Sequence, residues 1–245
     1  MTRFLFLLLP VLLLISFSRA DPLVLLDDYA EEIVEQYEEG GTFLYSYHYP
    51  QVDEDGEGGI AVNYFYLDLI DYDNGFTVPF LQETHEGADC STVITYTVTC
   101  NNDEYFSVLL RKDKDFSEDK PSTEWIGNTF SRLNPNYGYT TTLPQLLGLL
   151  DVDENDTWYQ DRQTAKADDL VRELVWAMIE QNDAGIDYND DLTQEDLSGV
   201  FFPEEDFYLD ENGDPVFFLQ PGVAAPDHFG LLKYPVPLEI ILDEM

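Results

Sequence analysis

The chain has 245 residues, of which 50 are acidic and 11 are basic, so its formal net charge is −39 at pH 7. Hydrophobic residues make up 44% of the sequence and aromatic residues 14%, which is enough to bury a core and argues against intrinsic disorder. A surface this negative repels nucleic acid and anionic polymers, and it attracts metal ions or basic proteins.

The charge has two interpretations that the sequence leaves open. Between Asp21 and Leu110 there is no Lys or Arg, and the only basic cluster lies among acids at residues 111–120. Such a distribution serves either the recognition of a positively charged partner or plain solubility and adaptation to salt. Net charge bears on partners and association rates, and it does not indicate a fold.

The first twenty residues predict a secretion signal. Arg3 is the basic start, an apolar core covers residues 4–17, and the small residues Ser18 and Ala20 precede the expected cleavage point. The apolar run is short for a membrane span, and an uncleaved anchor is the alternative. We therefore expect a secreted or cell-envelope protein, exported by its signal peptide (1–20), with no transmembrane segment after cleavage.

After the signal, residues 21–41 predict an acidic N-terminal arm. Its apolar side chains repeat at helical spacing, so a short helix that ends at Gly40-Gly41 is expected there. The next segments are a strand at 42–50, an acidic Gly-rich loop at 51–59, an apolar segment at 60–70 that fits a helix or a strand, and a short extended piece at 76–80.

The clearest hairpin of the first half lies between residues 90 and 111. The segment from Cys90 to Cys100 alternates β-branched and aromatic residues without Gly, Pro or Asn, which predicts one continuous strand. A turn at 101–103 and a return strand at 104–111 follow. Residues 123–133 predict a further extended segment.

The two cysteines are the only ones in the chain, and export would favour a disulfide between them. Ten strand steps of about 3.3 Å put their Cα atoms roughly 33 Å apart. A disulfide needs Cα atoms about 4.4–6.8 Å apart. We predict that Cys90 and Cys100 do not pair with each other within one chain.

The second half of the chain contains the strongest helix signals. Thr142 predicts a helix cap towards which Gln145 reaches back. Residues 164–182 place apolar side chains every three or four positions, which predicts a helix that Gly185 ends. A second cap signal at Thr193 predicts another short helix.

The last part of the chain predicts a second hairpin. Apolar runs at 207–209 and 216–219 flank Asn212-Gly213, the dipeptide that accepts positive φ in a two-residue turn. Both faces of the return strand are apolar, so it should lie inside a sheet. Residues 231–241 predict a last extended segment.

The order of strands, helices and strands favours an α+β fold with an antiparallel β-sheet covered by helices.

The sequence predicts no metal or cofactor site. None of the three His residues forms an HxxxH or HExxH pair, and the cysteines lack CxxC spacing. The segment from Asp151 begins like a calcium loop, but Asp156 replaces the required Gly and Arg162 the bidentate Glu. The segment that begins with Asp187, Asn189 and Asp191 also lacks the Gly and the bidentate Glu that a calcium loop requires. A looser calcium site made by crowded carboxylates stays open.

No catalytic residues are predicted, and the chain is expected not to be an enzyme. The G-x-S-x-G motif of serine hydrolases and the Gly-rich phosphate loops are missing. Paired carboxylates, as in glycosidases, require a set separation in space. With 50 acids, pairs at any sequence spacing arise by chance.

The C-terminal half resembles a known family. Residues 207–241 place a short strand, a turn, an aromatic strand, a loop ending in Gly and a Pro-containing strand in the order found in the extracellular domain of the sigma-V anti-sigma factor. Upstream, the segments 129–131, 134–138 and 143–150 resemble the strand, turn and helix of the same domain. Residues 47–51 and the hairpin at 90–111 resemble its paired N-terminal module, which also occurs beside cell-wall polysaccharide deacetylases.

This resemblance implies two modules, a deacetylase-associated-like α/β module at 42–120 and an anti-sigma-factor-like α+β module at 121–245, which could form one continuous domain. The family domain has no catalysis of its own and acts as a receptor that binds lysozyme. The anti-sigma role and deacetylation do not transfer, because three residues before the signal core cannot hold a sigma-binding segment and no deacetylase domain is present. Gly222 also replaces a Tyr that is usual in the family.

We therefore expect an exported, non-catalytic, sensor-like binding domain that captures a cationic protein such as a lysozyme-like wall hydrolase. The predicted contacts lie in the loop at 51–59, with Asp53, Glu54, Asp55 and Glu57 as the partner-binding residues, although plain solvation also explains this loop. A cell-wall glycan enzyme that uses paired carboxylates and an acidic domain of no receptor role are the alternatives. The oligomeric state is left open.

Overall fold

The computed structural model describes residues 21–38, 40–56, 58–117, 119–135, 137–149 and 157–244. The predicted signal peptide, Glu57 and the start of the calcium-like loop at 151–156 lie outside the described residues. The fold is α+β, as predicted, and contains two β-sheets with helices packed against both.

The first sheet is mixed, which corrects the expectation of a purely antiparallel sheet. Its strands are β1 (Tyr29–Gln36), β2 (Thr42–Tyr49), β3 (Cys90–Asn101), β4 (Tyr105–Phe116) and β5 (Ser122–Ser131), in the order β1-β2-β3-β4-β5. β2 and β3 are parallel, and the other neighbours are antiparallel. The parallel pair arises because a helical segment joins β2 to β3, and parallel strands need such a crossover.

Strand β1 corrects the prediction of a helix in the N-terminal arm. Tyr29, Ile33 and Tyr37 are four residues apart, a spacing that fits one face of a helix and also one face of a strand. Pairing with β2, in which Ile33 lies opposite Tyr45, decides between the two. All three side chains pack on the core of the first sheet.

One long helical segment crosses the first sheet. It consists of α1 (Gly59–Tyr72), a π-helical turn (Asp73–Thr77) and α2 (Val78–Thr84), so the segment at 60–70 is helical and the extended piece predicted at 76–80 is wrong. Pro79 lies in the first turn of α2, where a missing N–H is tolerated. The inner face of the segment buries Val62, Tyr66 and Val78.

The second sheet confirms the C-terminal hairpin. It consists of β6 (Phe207–Leu209), β7 (Pro215–Leu219) and β8 (Leu232–Pro235), all antiparallel in the order β6-β7-β8. The central strand β7 is buried over its whole length, as its two apolar faces predicted. The last extended segment predicted at 231–241 is only half correct, because the chain becomes helical again after β8.

The turn of this hairpin differs from the predicted two-residue turn. Leu209 pairs with Pro215, and Gly213 donates its N–H to the carbonyl of Asp210, so five residues form the loop. The Asp210 carboxylate accepts hydrogen bonds from the N–H groups of Asn212 and Asp214 at 2.8 and 3.0 Å. Only Gly213 has positive φ, at 88°, because the loop is a turn followed by one left-handed residue.

Four helices cover the outer face of the second sheet: α3 (Leu143–Leu146), α4 (Thr157–Gln181), α5 (Gln194–Leu197) and α6 (Leu238–Glu244). The capping boxes predicted at Thr142 and Thr193 are both present. Along α4, Val171, Val175 and Ile179 are buried against the sheet, which confirms the predicted helix. A 3-10 turn (Asp227–Phe229) lies between β7 and β8.

The two sheets pack directly on each other. Leu109 of the first sheet and Val216 and Phe218 of the second form a small core between them. A side chain at Gly127 of β5 would overlap the carbonyl oxygen of Phe207, so glycine is required for this close approach. The layers are therefore helix, first sheet, second sheet and helices. Since β4 and β5 pair on either side of residue 120, the first sheet extends across the predicted module boundary.

Candidate functional site

An exposed apolar stripe runs along the outer face of the long helical segment. Its side chains are between 44% and 58% exposed, although all are large and hydrophobic. They form what we call the aromatic ridge: Ile60, Tyr64, Leu67, Tyr72, Phe76 and Phe80. Large exposed apolar patches are uncommon on monomeric proteins, so this stripe is a candidate interaction site.

The ridge winds around the axis of α1, and the π-helical turn reduces this winding in the second half of the ridge. Ile60, Tyr64, Tyr72, Phe76 and Phe80 follow a spacing of four residues. In an α-helix, each step of four residues drifts by about 40° around the axis. The π-helical turn at Asp73–Thr77 holds more residues per turn and offsets part of this drift.

Aromatic stacking orders the second half of the ridge. The ring centroids of Tyr72 and Phe76 are 5.4 Å apart. The rings of Phe76 and Phe80 are 6.2 Å apart and nearly parallel, with an interplanar angle of 5°. Three rings thus present one preorganised surface, which lowers the entropy cost of binding.

Acidic side chains border the ridge along its length. Asp68 and Asp71 are exposed on α1, and Glu83 is exposed at the end of α2. The loop that contains Gly138 passes close to the Tyr64 ring and the Asp68 carboxylate, and it adds the exposed Tyr139 at 69%. Residues 21–110 contain no Lys or Arg, so this part of the chain supplies no base of its own to the border.

The predicted partner-binding loop lies at the beginning of the ridge. It leads directly into α1, whose second residue is Ile60. Glu54 and Asp55 are exposed, whereas Asp53 is half-buried and accepts a hydrogen bond from the Asp55 N–H at 2.9 Å. The structure thus places three of the four predicted acids beside the ridge. Their role in binding stays a prediction, and Glu57 lies outside the described residues.

Polar groups beneath the ridge hold the π-helical turn in place. Asp73 points into the core, where it accepts a hydrogen bond from the Tyr49 hydroxyl at 3.1 Å. Beside it, Glu31 accepts hydrogen bonds from the Tyr47 hydroxyl at 2.8 Å and the Asn74 amide at 3.4 Å. Burial and the bond to Glu31 raise the pKa of Tyr47 to about 12, so its hydroxyl stays a donor at physiological pH.

Within the described ranges, no group of three or more His, Cys, Asp or Glu side chains could hold a metal ion. Among the same residues, no helix is long and apolar enough to cross a membrane.

Cys90 and Cys100 begin and nearly end strand β3, where both are buried free thiols. Burial raises the pKa of Cys100 to about 11, with a further contribution from Asp210, so this thiol is unreactive at neutral pH.

The ridge itself was not predicted from the sequence. Its signal was present, because a large apolar residue recurs at spacing four from Ile60 to Phe80, interrupted only by Asp68. The segment also contains inward-facing apolar residues such as Val62 and Tyr66, so its outer stripe is hidden in an apolar run. The extended piece predicted at 76–80 also separated Phe76 and Phe80 from the earlier residues with the same spacing.

Comparison with solved structures shows the fold. The chain is similar to a DUF3298 family protein from Bacteroides fragilis, with a TM-score of 0.56 and 11% identity over 89% of this chain and 92% of that chain. A second similar structure is a DUF3298 family protein from Pseudomonas aeruginosa, with a TM-score of 0.48 and 14% identity over 91% of this chain and 94% of that chain.

Sequence comparisons add no family assignment, since no family model and no curated protein matches the chain. At 11% identity, the B. fragilis structure supports a shared fold and nothing about activity. The part of the predicted resemblance that is supported is therefore an α+β fold shared with DUF3298 proteins. A link to the sigma-V anti-sigma factor or to polysaccharide deacetylases has no support in these comparisons.

Proposed function

We propose that this chain is an exported, non-catalytic binding domain that captures a basic protein on the aromatic ridge. The observation that carries the proposal is a row of exposed, stacked aromatic rings bordered by carboxylates in a part of the chain without a single base. The apolar residues supply the contact area, and the acidic border selects the sign of the partner. Export is supported by the apolar leader at residues 1–20.

The negative charge of the chain favours some classes of partner and disfavours others. A second copy of this chain would place Asp68, Asp71 and Glu83 against acids of the same sign, and like charges at an interface cost free energy. Nucleic acid and anionic membranes are repelled by a net charge of −39. A basic protein is attracted, and steering of this kind raises association rates by about 10 to 10³ fold at low salt. A lysozyme-like wall hydrolase is the partner that the sequence resemblance suggests.

Calorimetric titration with lysozyme at about 20 mM and about 200 mM salt tests the proposal, because the higher concentration shortens the screening length to below about 10 Å. We expect binding at low salt that weakens at high salt. Cytochrome c, another small basic protein, shows whether recognition needs more than charge. Failure of lysozyme to bind at low salt contradicts the lysozyme form of the proposal, and failure of both proteins contradicts capture of basic proteins.

Substitutions locate the site. Phe76→Ser should weaken binding by about tenfold or more, because central aromatic residues dominate interface energetics. Phe202→Ser is the matched control, since Phe202 is 45% exposed but lies far along the chain from the ridge. Asp71→Asn should mainly slow association, whereas Glu180→Gln on the exposed side of α4 should not. Equal effects of Phe76→Ser and Phe202→Ser would show that binding does not involve the ridge.

A further inference from the structure

A cavity of about 600 Å³ lies where the two sheets meet, on the side of the first sheet opposite the ridge. Strands β4 and β5 supply one wall, and the connection from β7 to β8 supplies the other. Its polar and aromatic lining comprises Arg111, Lys120, Ser122, Thr123, Trp125 and Asp227. Each of its two bases has a carboxylate partner, because Arg111 pairs with Asp113 and Lys120 pairs with Asp227.

Arg111 is held in a fixed position at this cavity. Its guanidinium carbon lies over the Trp125 ring, 5.7 Å from the ring centroid. Its Nε donates to Asp113 Oδ1 at 3.1 Å, and Thr123 Oγ1 donates to the same oxygen at 2.6 Å. Because Nε faces Asp113, the two Nη groups at the other end of the guanidinium remain for a ligand. The Nη pair has the fork geometry that binds a carboxylate through two hydrogen bonds.

The walls of the cavity are built from specific contacts. The Gln220 side chain accepts a hydrogen bond from the backbone N–H of Trp125 at 2.9 Å and donates one to the backbone carbonyl of Trp125 at 2.7 Å. These two bonds connect the two walls. Lys120 forms an ion pair with Asp227 across the opening. Gly222, with φ of 79°, allows Asp227 to approach, because a side chain at Gly222 would overlap the Asp227 carboxylate.

The lining indicates the chemistry of a ligand. Pro121, Pro221 and Leu231 add apolar surface beside Trp125, so part of the cavity suits a hydrocarbon body. One guanidinium fork suits one carboxylate. The negative field of the whole chain repels a polyanion more strongly than it repels a single carboxylate.

We propose that this cavity binds a small monocarboxylate with an apolar body, whose carboxylate pairs with the Arg111 guanidinium and whose apolar part contacts Trp125 and Leu231. The cavity is separate from the ridge, so this proposal stands or falls independently of the capture of a basic protein.

N-acetyl-leucine is a suitable probe, and N-acetyl-leucinamide is the matched ligand that lacks the charge. Binding is measured with the full chain from the indole N–H signal of Trp125 in nitrogen-15 NMR spectra, in about 20 mM salt to limit screening. We expect saturable shifts with the acid and about tenfold weaker binding of the amide. Absence of saturable shifts with the acid, or equal affinity for acid and amide, overturns the proposal.

Variants separate a built site from general attraction to bases. Arg111→Lys keeps the charge and loses the planar fork, so it should weaken binding of the acid by about tenfold. Arg111→Gln should weaken it at least as much, whereas Lys166→Gln, which removes one exposed positive charge on α4, should change it less than twofold. Equal weakening by Arg111→Lys and Lys166→Gln contradicts the assigned role of Arg111. An unchanged free energy of unfolding in urea confirms that each variant is folded.

Discussion

Asp168 makes the stability of this chain depend on pH in an unusual direction. It lies on α4 and is only 7% exposed, and its Oδ1 atom is buried without a hydrogen-bond partner among the described residues. Its Oδ2 atom is 3.6 Å from Arg172. Burial raises the pKa of Asp168 from 3.8 to about 6, the nearby Glu204 carboxylate adds to this effect, and Arg172 opposes it.

The sign follows from the protons bound in each state. Between pH 3.8 and about 6, Asp168 is protonated in the folded chain and ionised in the unfolded chain. The folded chain therefore binds more protons, and the free energy of unfolding falls as pH rises through this range. At about 1.4 kcal/mol per pKa unit, the full loss is about 3 kcal/mol, of which about 1.4 kcal/mol occurs between pH 5 and pH 8.

Asp168→Asn removes this titration and keeps the shape of the side chain. We expect the free energy of unfolding of the variant, minus that of the unaltered chain, to be about 1.4 kcal/mol higher at pH 8 than at pH 5. Arg172 keeps partners in the variant, because Asp169 Oδ1 is 3.6 Å from its Nη1. Urea denaturation followed by circular dichroism at the two pH values measures the difference without adding salt.

Asp169→Asn is the control for this experiment. It changes the net charge by the same amount at the next residue, but the Asp169 side chain is 79% exposed. Its effect should be below about 0.5 kcal/mol and should depend on pH far less than that of Asp168→Asn, because Asp169 is the smallest of the causes that shift the pKa of Asp168. Parallel pH profiles of Asp168→Asn and the unaltered chain would refute the reasoning, as would a pH dependence of Asp169→Asn as large as that of Asp168→Asn.

Three further predictions concern the packing of the two sheets and the hairpin. Gly127→Ala should lower the free energy of unfolding by about 2–3 kcal/mol or more, because its Cβ would overlap the Phe207 carbonyl, and a Gly75→Ala variant, with open space around it, should cost far less in the same urea titration. Phe217→Ala should cost about 3–5 kcal/mol, since the ring is fully buried in the central strand β7; a loss below about 1 kcal/mol in thermal unfolding would contradict this burial. Asp210→Ala should cost about 1–2 kcal/mol through two lost hydrogen bonds in the hairpin loop, whereas Glu211→Ala in the same loop should be nearly neutral when both are compared by chemical denaturation.

Local signals predicted much of the fold. The β3–β4 hairpin, helix α4, the caps at Thr142 and Thr193 and the buried strand β7 were all found from periodicity and capping residues. These elements are specified within about 20 residues of sequence. The errors arose where pairing with a distant segment determined the secondary structure. In β1 the apolar residues are four positions apart, which fits a helix and a strand equally, and pairing with β2 makes the segment a strand.

The candidate site was less predictable. A composition of 50 acids and 11 bases predicted a positively charged partner. The structure puts the predicted loop at Asp53 at one end of the ridge. The ridge and the cavity at Arg111 depend on which faces remain uncovered after the sheets pack. Arg111 and Gln220 are 109 positions apart, and no local pattern indicates that both reach Trp125.

Strand β1 has a consequence for how molecules of this protein behave together. In the described part of the chain it pairs only with β2, so its other side presents unpaired backbone groups to solvent. The exposed Glu32 and Glu35 on this strand keep it from pairing edge to edge with the same strand of a neighbour.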